Sequence, residues 1–86
     1  MENEIKEKFY SLLDRRGFEG LRAFSRATGV GVGNIYSNIQ GKHKLSLDRA
    51  FIFANTLGVP IDTILAIFYK DKMIDNIKAV RGQKKN

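Results

Sequence analysis

Four short blocks of apolar residues at helical spacing, three of them closed by a glycine, leave this chain little choice of fold. Ile5, Phe9, Leu12 and Leu13 share one face of a helix over about 4–16, and Gly17 follows its basic end, Arg15-Arg16. Leu21, Phe24, Ala27 and Thr28 repeat at three and four residues until Gly29. Leu47, Ala50, Phe51, Ala54 and Leu57 predict a buried stripe, ended by Gly58. Val59-Pro60 turns the chain into a last helix, with Ile61, Ile64, Leu65 and Phe68 facing the core. Met73, Ile77 and Val80 extend that spacing as far as Arg81. Between the second and fourth blocks, Gly29, Gly31 and Gly33 alternate, which weakens any strand and suits a tight corner. A third helix over about 33–40 follows, with Ile35 and Ile39 fastening its back and Asn34, Ser37, Asn38 and Gln40 supplying an uncharged polar remainder. Ser46 is placed to cap the fourth helix. The expectation is an all-α bundle of five helices joined by short turns, the last one extended.

The chain has 86 residues, room for one small domain with a single core. It has no cysteine, so disulfides, zinc–thiolate sites and thiol catalysis are excluded. The longest apolar run, Ile64 to Tyr69, is far short of the roughly 20 residues a membrane span needs. Met1-Glu2-Asn3-Glu4 is polar and acidic, unlike a secretory signal, and a cytoplasmic protein is expected.

The formal charge of +6 is unevenly spread. Residues 20–47 carry Arg22, Arg26, Lys42 and Lys44 and no acid. Residues 76–86 carry Lys78, Arg81, Lys84 and Lys85, again with no acid, while the remaining stretches are nearly balanced. Two acid-free basic segments suggest two contacts with a polyanion. Catalysis is not expected. His43 is the lone histidine, with no nucleophile, carboxylate pair or metal-ligand set beside it. The glycine-rich Gly29–Gly33 stretch lacks the preceding strand that a nucleotide loop requires. No cofactor, metal or small-molecule ligand is expected.

Two short helices about a glycine corner, the second polar and followed by the basic Gly41-Lys42-His43-Lys44, form a helix-turn-helix pattern. From Gly17 to about Leu65 the sequence resembles the Xre/Cro family of bacterial and phage repressors. The likeness rests on Gly29-Val30 at the turn, Ile35 in the third helix, Gly41-Lys42 after it, Ser46-Leu47 opening the fourth, and Ala54-Asn55-Thr56-Leu57-Gly58-Val59. It implies a lambda-repressor-like domain over 1–66, a helical extension over 67–81 and a basic tail over 82–86. It further implies a dimeric repressor of phage or mobile-element type that inserts the third helix into the major groove of a palindromic operator. Carried over, Val32, Gly33, Asn34, Tyr36 and Ser37 read bases, and Arg22, Gln40, Lys42, His43 and Lys44 meet phosphates.

Departures from the family pattern have consequences. Leu21 stands where a glutamine usually touches phosphate in that family, so the contact is either lost or moved to Arg22. Asn38 replaces an apolar residue and Ile39 a commonly acidic one, so either the third helix is rotated or its anchor moves by one residue. Gly31, at the helix cap, replaces the usual serine or threonine. The stripe Ile67, Phe68, Met73, Ile74, Ile77 and Val80 is expected to join two copies, the alternative being that it folds onto its own domain. A protein-binding module on the same scaffold, and non-specific binding through the basic tail alone, are the competing functions.

Overall fold

A computed structural model describes residues 4–69. They form five α-helices: α1 (Glu4–Arg15), α2 (Leu21–Thr28), α3 (Val32–Gln40), α4 (Leu47–Leu57) and α5 (Ile61–Phe68). There is no strand among the described residues. The all-α five-helix bundle expected from the sequence is therefore the observed fold. None of these helices is long and apolar enough to cross a membrane.

α1 packs against α3 and α5, α2 against α3 and α4, and α4 against α5. The centre is aromatic. Five of the six phenylalanines form one cluster. Phe9 of α1 lies 5.4 Å from Phe24 of α2, 5.6 Å from Phe53 of α4 and 5.3 Å from Phe68 of α5, measured between ring centres. Edge-on and offset rings at such distances add stabilisation beyond the area they bury. Leu12, Leu13, Ile35, Ile39, Leu45, Leu57 and Ile64 complete the core.

Helix four corrects the expected stripe. Leu47 and Phe51 are exposed, at 59% and 53%, and Phe53 is fully buried in their place. The inward face is Ala50, Phe53, Ala54 and Leu57. Its phase is set by the rings of Phe9 and Phe24, which receive Phe53. Ala27 of α2 is likewise exposed, leaving Phe24 as that helix's buried residue. Helix five also differs from its expected run to Arg81. It closes at Phe68, because Tyr69 leaves helical geometry at φ −128°. Met73, Ile74, Ile77 and Val80, and with them most of the expected extension and the whole basic tail, lie outside the described residues.

The ends of the helices are held by specific groups. The Ser46 hydroxyl accepts from the Arg49 amide at 3.1 Å, as its capping position predicts. At the other end of α4, the Arg16 Nε donates to the Leu57 carbonyl at 2.8 Å. A cation there satisfies a terminal carbonyl and matches the negative end of the helix.

Candidate nucleic-acid interface

The corner between α2 and α3 is built by three side-chain bonds. Ser25 Oγ donates to the Val30 carbonyl at 2.6 Å. Thr28 Oγ1 donates to the Ser25 carbonyl and accepts from the Val30 amide at 3.1 Å. Gly29 sits between them at φ +79°, a region costly for any residue with a Cβ. These bonds set where α3 begins relative to α2.

α3 presents two unlike sides. Ile35, Asn38 and Ile39 are buried. Val32, Gly33, Asn34, Tyr36 and Gln40 are exposed, and Ser37 is half-buried. Both isoleucines thus anchor the helix as expected. Asn38 does not belong to the polar outer side assigned to it: it is buried beside Ile39, which supplies the apolar anchor one residue further on. The inward row is Ile35, Asn38 and Ile39 together, a three–four spacing with an amide at its middle position.

Both polar atoms of that amide are hydrogen-bonded. Asn38 Nδ2 donates to the His43 carbonyl at 2.9 Å, and its Oδ1 accepts from Arg49 Nη1 at 3.1 Å. The amides of Lys42 and His43 both donate to the Ser37 carbonyl, at 3.0 and 3.4 Å. Gly41 allows the reversal at φ +80°. The basic loop is therefore tied to α3 by Asn38 and Ser37 and to α4 through Arg49. Lys42, His43 and Lys44 are all exposed on it. Asn38 and Arg49 were not singled out from sequence as organisers of this loop. A signal existed for Arg49, since a cation in the first turn of a helix opposes the helix dipole and calls for a compensating partner.

At the start of α3, Gly31 occupies the cap position with no side-chain bond, so its first-turn amides are not covered by a cap. A Cβ added at Gly33 would meet no atom within 4 Å. Arg22, in the first turn of α2, is exposed. The two described members of the proposed dimer stripe, Ile67 and Phe68, are half-buried against the domain's own core. Phe68 spends its ring on Phe9 and Phe53. No group of His, Cys, Asp or Glu able to hold a metal occurs among the described residues.

A cleft of about 370 Å³ joins the loop to the end of α5, lined among others by His43, Lys44, Leu45, Ile67, Phe68 and Tyr69. Across it the Tyr69 hydroxyl donates to the Leu45 carbonyl. A second, shallower groove lies between α1 and α5, beside Lys8, Arg15 and Ile67. Compared with protein-family models, characterised proteins and solved structures, the chain matches none.

Proposed function

We propose that this chain is a sequence-specific DNA-binding transcriptional regulator of the Xre/Cro kind, a cytoplasmic repressor that acts as a dimer on a palindromic operator. The observation that carries the reading is the two-sidedness of α3. It is fastened by Ile35, Asn38 and Ile39 and turns Val32, Gly33, Asn34 and Tyr36 outward. A helix of this kind fits a major groove about 12 Å wide. Asn34 would pair with an adenine edge, Val32 would meet a thymine methyl, and Gly33 would allow close approach. Arg22, Gln40, Lys42, His43 and Lys44, all exposed, would be the phosphate contacts, and such contacts supply much of the affinity for DNA. Half-sites about 34 Å apart call for a two-fold protein, for which Met73, Ile74 and Ile77, the part of the apolar stripe outside the described residues, are the proposed contact.

The test is selection from a random duplex pool, followed by gel shifts on the enriched motif. Asn34→Ala is expected to relax specificity at one base position, and Lys42→Ala to weaken binding evenly and flatten the salt slope by about one. Unchanged affinity in both variants rejects the site. One observation favours a second reading, a protein-binding module: Leu47, Phe51 and Ile52 expose an apolar patch on α4. Binding through that patch would show little loss with salt, whereas phosphate binding falls with a slope of about −0.9 per contact.

A further inference from the structure

The cleft between the basic loop and the end of α5 combines apolar walls with cations. The walls come from three parts of the chain: Ile5 of α1, Leu45 at the end of the loop, and Ile67, Phe68 and Tyr69 at the end of α5. Those parts are distant in sequence, so no local pattern announces the cleft. Ile5, Ile67, Phe68 and Tyr69 pack on the core yet stay only half-buried, which leaves apolar surface open to a ligand. The volume of about 370 Å³ falls within the roughly 300–1,000 Å³ usual for small-molecule sites, which pair mostly apolar walls with a few polar groups.

The charge around it is unequal. Lys8, His43 and Lys44 line the cleft against one acid, Glu4. Glu4 lies 4.0 Å from Lys8 and so faces one of the two lysines. Lys44 is exposed and makes no ion pair among the described residues. The Tyr69 hydroxyl is already spent on the Leu45 carbonyl. The group that complements this arrangement is a negative head on an apolar body.

We propose that this cleft binds a small amphipathic anion, a carboxylate on an apolar chain, with the chain against Ile5, Ile67 and Phe68 and the carboxylate at Lys44 and His43. Burial of the chain supplies most of the affinity, since each fully buried methylene strengthens binding about fourfold. Lys44 and His43 are also assigned to DNA phosphates, so the bound carboxylate competes with the duplex for them. This competition rests on the DNA-binding proposal; the site itself does not.

The experiment titrates the intact, ¹⁵N-labelled chain with sodium octanoate, sodium hexanoate and neutral octanol at constant ionic strength and follows the amide resonances. Saturable shifts are expected at Gly41, His43, Lys44, Leu45 and Tyr69. Octanoate should bind more tightly than hexanoate, by up to about fifteenfold for two fully buried methylenes. Lys44→Ala, checked for an unchanged thermal midpoint, should weaken octanoate about two- to fivefold, the effect of one exposed charge pair, and leave octanol unchanged. Lys44→Arg should restore octanoate binding. Shifts that do not saturate, shifts centred on Leu47, Phe51 and Ile52, or an octanoate affinity unchanged in Lys44→Ala overturns the site. On the duplex enriched by the intact chain, octanoate should raise the apparent Kd as the cleft fills. Saturation of the cleft without weaker DNA binding overturns the competition. A chain that enriches no duplex overturns the α3 reading and the competition together, while a saturable titration still upholds the site.

Discussion

Two glycines four positions apart respond oppositely to the same change. Gly29 holds a left-handed turn at φ +79°, and Gly29→Ala should cost about 1–2 kcal/mol, measured by urea denaturation. Gly33 lies in regular helix with open space where a side chain would go. Gly33→Ala should therefore raise stability by about 0.5–1 kcal/mol. If α3 lies in the groove, the same substitution weakens operator binding, because the new methyl stands where the backbone approaches the bases. Stability and affinity moving in opposite directions would mark this position as functional, while affinity left intact would place α3 away from the duplex. Asn38 makes a different case. Asn38→Ala strands the His43 carbonyl and one Arg49 N–H, at an expected cost of about 1–3 kcal/mol in thermal or urea melts.

Helix four shows what sequence pattern can and cannot resolve. Phe51-Ile52-Phe53 puts a large apolar group on three successive directions of one helix. Two stripes, one through Phe51 and one through Phe53, then fit the same spacing. Only the neighbours decide between them, and the rings of Phe9 and Phe24 come from elements distant in the chain. Phe53→Ala should cost about 3–5 kcal/mol, and Phe51→Ala no more than about 0.5 kcal/mol, as read by denaturant midpoints. By contrast, the ends of α2 at Gly29 and α4 at Gly58, and the Ser46 cap, were readable directly, because each depends on local backbone chemistry. The organisation of the basic loop was not. Asn38, Arg49 and Ser37 act across a turn, and polar side chains carry no periodic signature when one of them is buried.

At the scale of the whole molecule, one ring holds most of the helices together. Phe9 touches aromatic partners on α2, α4 and α5 while its own helix packs on α3. Domains of this size have only about 5–15 kcal/mol of total stability. Phe9→Ala, at about 3–5 kcal/mol, should therefore remove a large share of that stability and lower the urea midpoint for all probes at once. The bonds that Asn38 and Ser37 make to the basic loop bear on recognition in another way. Because folding already immobilises that segment, docking on a rigid target need not freeze it again. Fixing the backbone of a free loop on association costs about 1–2 kcal/mol per residue. The calorimetric signature expected of this face is a heat-capacity change no larger than its contact area accounts for, with none left over for coupled folding.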